Sequence, residues 1–240
     1  MGLLSRQQIE NIIVDSNMNY FAHGYRFIDD PYFLAGTAVP DWLSVADRGV
    51  RTHRTRTLEF IDHADPQVAT VARGIVQHHH DDAWFHNTDA FNQLSWQITR
   101  QCSAALPKDE GFRPSFLGHI LVELLLDAAL IAADPPRLQQ YYAAMQSVDA
   151  QAVQRAVNMI ARQSTSRLAW FIEQFCQVRF LCDYADNGKL MFRLNQVLRR
   201  VKLAPLPDSF LSVLGPAREM VYVQSAELLD AATRQRRVAG

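Results

Sequence analysis

Apolar residues recur at helical spacing along almost the whole chain, and no stretch alternates apolar and polar residues for long enough to indicate a β-strand. Near the start, the three isoleucines of residues 5–15 fall on one side of a helix. Asp-Pro pairs at 30–31, 65–66 and 134–135 are typical of helix starts, because proline fits the first helical turn. The pattern predicts an all-α, multi-helix globular fold.

These start and stop signals divide the chain into a series of predicted helices. They include residues 5–15, 17–27, 31–43, 150–163 and 165–182, a helix ending near His63, one opening at Pro66, one starting at Pro114 or Ser115, one restarting after Asp134, and a final helix of roughly twenty residues after Asp208 and Ser209. Asp149 is a predicted N-cap. A loop is expected at 107–114 and a break at 187–188.

The longest apolar run, residues 116–133, carries His119, Glu123 and Asp127 at intervals of four. The run is long enough to raise the question of a membrane span. On a helix, however, residues four apart share one face, so these ionisable side chains form a single stripe. Such a stripe must be paired, neutralised or metal-bound when it is buried, and all three side chains are of metal-ligand types. We therefore predict half of a metal site and no membrane span.

The segment HHHDDAWFH, residues 78–86, is predicted to provide the other half. If it is one helix, a single face carries His78, His79, Asp82 and His86. Facing helices that each present a His/carboxylate stripe are a known way to build metal centres in helical folds. Five of the eight histidines lie in these two stretches. A solvated surface tract is the alternative interpretation of the segment.

Composition restricts the class of protein. The formal net charge of −1 provides no overall basic field for nucleic acid or anionic membranes. The three cysteines are an odd number without paired spacing, which favours a reducing compartment. The N-terminal residues do not resemble a secretory signal. We expect a cytoplasmic protein with no nucleic-acid partner, and a homo-oligomer is left open.

The distribution of histidines suggests a division of the chain. No histidine follows His119, so the C-terminal part looks structural. We expect a helical metal-binding core over residues 1–148 and a C-terminal helical extension over 149–240, with one continuous domain as the alternative.

Three further candidate ligands lie upstream, namely His23 in MNYFAH, Asp41 in AVPDW and His53 in THR. Taken singly, each is more often a hydrogen-bonded structural residue, and Asp41 after a proline can simply cap a turn. Arg51 and Arg54 flank His53 and are able to hold a phosphate through paired hydrogen bonds, although a charge run is usually a solvated face.

The segments MNYFAH, FLAGTAVPDW, GVRTHR…LEFIDHADP and GIVQHHHDD together resemble the acyl carrier protein phosphodiesterase family over about residues 18–90. That family is considered a distant relative of the HD-domain phosphohydrolases, which are all-helical and metal-dependent. The resemblance implies an HD-like helical core and a phosphoester substrate, carried on a protein such as acyl carrier protein. A fainter likeness is to zinc-dependent phospholipase C proteins, which use HxxxE and HxxxD pairs on helices.

Carried over residue by residue, the resemblance matches His23, Asp41 and His53 to the family's His, Asp and His. It also matches His78 and Asp82 to the two aspartates on the family's helix. Both likenesses imply metal-assisted phosphoester chemistry.

The leading hypothesis is a metal-dependent hydrolase that acts on a phosphoester, in the first place a phosphodiester, through a metal-activated water. The candidate metal ligands are His23, Asp41, His53, His79, Asp82, His86, His119, Glu123 and Asp127. So many ligands imply two divalent ions (Zn, Mn, Fe or Mg) roughly 3.5–4 Å apart. Asp82 or Glu123 is the candidate general base, and Arg51 or Arg54 would neutralise the phosphate.

Two alternatives come from other classes. In a non-catalytic helical protein the metal would only stabilise the fold, and its coordination would be closed, whereas a catalytic metal keeps an exchangeable water. A di-iron carboxylate bundle usually contains Glu-x-x-His pairs. No glutamate in this chain lies three residues before a histidine, so the di-iron alternative is the weakest.

Overall fold

The structure, a computed structural model, describes residues 20–108 and 111–236. The described residues form helices joined by turns and contain no β-strand, which confirms the predicted all-α, multi-helix fold. The predicted helix over 5–15 lies outside the described residues.

Eleven α-helices are described, and we number them in chain order. They are α1 (Tyr20–Gly24), α2 (Pro31–Ala46), α3 (Arg54–Thr57), α4 (Pro66–Phe85), α5 (Asp89–Ala105), α6 (Pro114–Ala133), α7 (Pro135–Gln146), α8 (Ala150–Ile160), α9 (Leu168–Val178), α10 (Asn187–Arg200) and α11 (Leu211–Arg236). Short 3₁₀ segments cover Leu58–Phe60, Phe180–Ala185 and Asp208–Phe210.

Helix starts follow local capping chemistry. The side chain of Asp30 accepts a hydrogen bond from the backbone N–H of Phe33 at the start of α2. Asp149 does the same for Gln151 at the start of α8, as predicted. These caps satisfy N–H groups that have no partner inside the helix.

Several helix ends differ from the predicted ones. Helix α8 ends at Ile160, not at 163. The predicted helix over 165–182 is split, because Arg179 adopts a left-handed conformation (φ 51°) and ends α9. The predicted break at 187–188 is wrong, since Asn187 is the first residue of α10, capped by the side chain of Asp186.

The described chain divides into two compact units. The first unit contains residues 20–80 and 135–180, and the second contains residues 81–134 and 181–236. Each unit is therefore built from two separated stretches of sequence. The predicted division after residue 148 stays a prediction.

In the first unit, α2 packs against α1, α7, α8 and α9 around an aromatic core. The ring of Phe175 lies 5.2 Å from that of Tyr20, 5.4 Å from Trp42, 5.7 Å from Tyr142 and 5.4 Å from Phe180. All five side chains are fully buried. Inclined aromatic pairs at such distances add to the stability that burial provides.

Helices α2 and α4 come into backbone contact within the first unit. A Cβ added at Gly74 would lie 2.8 Å from the Cα of Gly36 and would also meet the carbonyl of Phe33. Only glycine allows backbones to approach so closely. This crossing fixes α4 against α2 one helical turn before the histidine segment.

In the second unit, α5, α6 and α11 pack on one another. Helices α5 and α6 come close together at Gly118, where an added Cβ would lie 2.6 Å from the carbonyl oxygen of Ser95 and would also meet the side chain of Thr99. Helix α6 buries its apolar side chains together with Glu123 and Asp127.

Among the described residues, one helix, α6, is long and apolar enough to cross a membrane by length and composition. The mean hydropathy of its most apolar window is 2.0, and 72% of that window is buried inside the protein. The core helix of a soluble protein passes the same test, so this feature is weak evidence of a membrane span.

The close contact between α2 and α4 generates a prediction. Gly74→Ala should lower the free energy of unfolding by about 1–3 kcal/mol or more, because the new methyl group meets backbone atoms that cannot move aside. Gly49→Ala is the control: an added Cβ there would be in ordinary van der Waals contact, 3.5 Å from Oε1 of Gln163 and 3.6 Å from Oδ1 of Asp47, so the change should stay within about 0.5 kcal/mol. Chemical denaturation of both variants measures the difference. Equal stability of the two variants would contradict the described crossing.

A second prediction concerns the three cysteines, none of which forms a disulfide. Burial raises the pKa of the Cys102 thiol to about 12 and that of Cys176 to about 11, whereas Cys182 is exposed. Because the thiolate is the reactive form, one thiol per chain should react rapidly with a thiol reagent near pH 8, and the other two should react only after unfolding. Cys182→Ser should abolish the rapid phase. Rapid reaction of all three thiols in the native protein would refute this assignment.

Candidate metal sites

The first candidate site lies in the first unit, where His78 of α4 lies beside His23 of α1 and near Asp41 of α2. The ring centroids of His23 and His78 are 4.4 Å apart, and Nε2 of His78 lies 4.0 Å from Oδ1 of Asp41. All three side chains are buried, with exposed fractions of 6% for His23, 3% for Asp41 and 2% for His78. Two imidazoles and a carboxylate are a ligand set that suits zinc and other first-row metals.

A backbone carbonyl fixes the tautomer of His78. Its Nδ1 lies 2.8 Å from the carbonyl oxygen of Thr37, and because a carbonyl only accepts, Nδ1–H must be the donor. In a neutral ring, Nε2 then carries the lone pair on the side that faces Asp41. Metal-binding histidines commonly have this second hydrogen bond, which orients the ring.

The glycine crossing explains why these side chains meet. Gly36 immediately precedes Thr37, and Asp41 follows Thr37 by one turn of α2. On α4, His78 follows Gly74 by one turn. The backbone contact at Gly36 and Gly74 therefore places Thr37 and Asp41 opposite His78.

His79, which was a predicted ligand, makes a different contact. Its Nε2 donates to the carbonyl oxygen of Thr52 at 2.5 Å. This hydrogen bond attaches the basic segment, residues 49–56, to α4, and the side chains of Arg51, His53 and Arg54 next to Thr52 are exposed. The predicted roles of His53 and His79 as ligands stay predictions.

The second candidate site lies in the second unit and consists of His86, His119 and Glu123. Nε2 of His86 lies 2.7 Å from Oε1 of Glu123, and Nε2 of His119 lies 3.2 Å from the same oxygen. The three ligand atoms lie within 4.8 Å of one another, close enough to hold a metal ion. His119 and Glu123 are one turn apart on α6, as the predicted stripe requires.

His86 reaches this site from a turn, because α4 ends at Phe85. Thr88 then caps α5 by accepting from the backbone N–H of Phe91. The ring of Phe91 lies 4.9 Å from each of the His86 and His119 rings and is itself buried. Phe91 therefore packs against both imidazoles and holds them beside Glu123.

The electrostatics of this group favour an ionised carboxylate. Burial by itself raises the pKa of Glu123. The hydrogen bonds from His119 and His86, together with the charges of these imidazoles, lower it by more, so the pKa of this carboxyl lies below its ordinary value. The imidazoles are more open: the exposed side-chain fraction is 26% for His86 and 39% for His119. A buried carboxylate beneath two part-exposed imidazoles leaves the site accessible to water.

The remaining predicted residues belong to these units as follows. Asp82 lies on α4 one turn after His78, is partly exposed and belongs to the second unit, while Asp127 is fully buried on α6 one turn after Glu123. The predicted ligands are therefore divided: His23, Asp41, His53 and His79 belong to the first unit, and Asp82, His86, His119, Glu123 and Asp127 to the second.

His78 is the residue that the predicted ligand set omitted. His78 shares a helical face with Asp82, so its helical position in the sequence already indicated a possible ligand. What the sequence could not provide was the position of the Thr37 carbonyl, which orients His78 toward His23 and Asp41.

In comparisons with known proteins, the chain matches no protein-family model, no curated protein and no solved structure.

The contrast between neighbouring histidines generates a prediction about stability in the presence of EDTA. His78→Ala removes a buried donor from Thr37 and should lower the free energy of unfolding by about 1–3 kcal/mol. His80→Ala, at an exposed position two residues along the same helix, should change it by less than about 0.5 kcal/mol. Denaturant titration measures both values. An equal effect of the two substitutions would contradict the buried position of His78.

Proposed function

We propose that the chain is a metal-dependent hydrolase that acts on a phosphoester, in the first place a phosphodiester, through a metal-activated water. The observation that carries the proposal is the position of the buried His78 side chain, which lies beside the ring of His23 and near the carboxylate of Asp41 in the first unit. Three protein ligands leave coordination positions for a water and for a phosphate oxygen. A divalent ion held there would supply Lewis-acid chemistry, lowering the pKa of a bound water and polarising the phosphoryl group.

The basic segment supports a phosphoester substrate. His79 follows His78 directly, and its hydrogen bond to Thr52 holds the backbone of this segment against α4. Arg51 and Arg54 are exposed on either side of it. Nη1 of Arg51 donates to the carbonyl oxygen of Val50, and the other N–H groups of the two guanidinium groups would contact a phosphate oxygen. Metal ligands and candidate phosphate ligands thus belong to the same unit.

The roles of the two predicted catalytic carboxylates differ. Oε1 of Glu123 accepts from two imidazoles, which suits a ligand better than a general base. Asp82 is partly exposed on α4, and its role as general base stays a prediction. The proposed HD-like core and a substrate attached to acyl carrier protein rest on the sequence resemblance.

A second candidate function is a structural metal site. The deep burial of His23, Asp41 and His78 favours it, because structural ions have closed coordination. Under this alternative the protein binds metal and turns over no substrate.

The test uses protein stripped with EDTA and reloaded separately with Zn²⁺, Mn²⁺, Fe²⁺ or Mg²⁺. The substrates are a chromogenic phosphodiester, the matching phosphomonoester, and acyl carrier protein bearing phosphopantetheine. We expect metal-dependent phosphodiester hydrolysis that His23→Ala and His78→Ala abolish and that the control His80→Ala retains. Arg54→Ala should mainly raise KM, since it removes substrate binding rather than the metal.

The outcomes separate the candidates. Bound metal without hydrolysis of any substrate would establish the structural alternative. Hydrolysis that persists in His78→Ala would exclude this group as the catalytic centre.

A further inference from the structure

The second unit contains a complete set of metal-ligand side chains of its own. Two imidazoles converge on one carboxylate oxygen, at 2.7 Å from His86 and 3.2 Å from His119. Ligands of a tetrahedral zinc ion, each about 2.0–2.1 Å from the metal, are roughly 3.3 Å apart. The two distances to Oε1 are therefore within about 0.6 Å of the ligand spacing around zinc, and all three ligand atoms lie within 4.8 Å of one another.

A purely structural arrangement would be built differently. Neutralising the buried charge of Glu123 requires one cationic partner, yet two imidazoles donate to the same oxygen. Neither imidazole fills the core, since His86 is 26% and His119 is 39% exposed. Phe91 contacts both rings, so their orientation is fixed although they are open to solvent.

The ligand types identify the class of ion. Two histidines and one glutamate form a set found in catalytic zinc sites, where the fourth position holds water. Calcium and magnesium prefer all-oxygen ligand sets. The open side of the two imidazoles provides room for that water.

We propose that the second unit binds a divalent transition-metal ion, with zinc as the first choice, through His86, His119 and Glu123, and that this ion carries an exchangeable water. The site uses no residue of the first unit, and its existence does not depend on the proposed phosphoester hydrolysis. Binding requires a lone pair on Nε2 of each imidazole. Each neutral ring therefore moves its proton from Nε2 to Nδ1 by exchange with solvent, and a doubly protonated ring releases its Nε2 proton to solvent.

The key variant is His119→Gln in the full-length, untagged protein. The glutamine side chain still has an amide N–H to donate to Glu123, but it is a poor zinc ligand. His119→Ala and Glu123→Gln are the companion variants. The controls are His80→Ala at an exposed position and His78→Ala in the first unit.

The measurements are Zn²⁺ stoichiometry and affinity against a chromophoric chelator, and the visible spectrum of bound Co²⁺. We expect His119→Gln to lose one equivalent of zinc or to bind it much more weakly. Loss of a partner outside the coordination shell weakens metal binding roughly 10–100-fold, and loss of a direct ligand should weaken it by more than that. The Co²⁺ bands of this site should disappear with it. His80→Ala should bind as the wild type does, and His78→Ala should retain this equivalent.

Helical circular dichroism and thermal unfolding in EDTA establish that each variant is folded. If His119→Gln and Glu123→Gln both keep the wild-type zinc content and Co²⁺ spectrum, the group is a hydrogen-bonded cluster and the inference is overturned. Zinc that is lost in His78→Ala but not in His119→Gln would also overturn it. A single equivalent lost only in His119→Gln would support this site while removing the metal from the proposed hydrolase centre.

Discussion

The cost of burying ionisable side chains is the constraint on which both candidate sites depend. Glu123 lies in the most apolar helix of the described chain, and a carboxylate there is tolerated only with partners. The two imidazoles that meet its Oε1 supply them. In the first unit, His78 is likewise buried between a carbonyl and a carboxylate. In each unit, the buried polar side chain therefore needs its hydrogen-bonding or charged partners, and the packing of the helices holds those partners beside it.

Features that depend on neighbouring residues were predictable from the sequence. The all-α class followed from periodicity, and the start of α2 after Asp30 and the cap at Asp149 followed from local hydrogen bonding. The spacing of His119 and Glu123 along α6 also followed from helical geometry alone. The end of α9 was not predictable, because Arg179 takes a left-handed conformation that glycine or asparagine would normally signal.

Features that depend on tertiary contacts were missed. Residues 78–86 were predicted to form one helix, but the helix ends at Phe85 and His86 approaches Glu123 from a turn. The choice between His78 and His79 is made by two carbonyls, those of Thr37 and Thr52, which lie 41 and 27 residues away in sequence. The division of the predicted ligands between two units has the same origin, since each unit joins distant stretches of chain.

The interleaved connectivity has a consequence for biosynthesis. His23, Asp41 and His78 have all been translated once the ribosome has passed His78, but the first unit also needs residues 135–180 for its aromatic core. At typical elongation rates of about 5–20 residues per second, roughly 5–20 s separate the two events. During that interval the nascent chain exposes histidines and carboxylates without the packing that orients them. A metal site formed by these side chains would therefore be completed only after Phe180 has emerged from the ribosome.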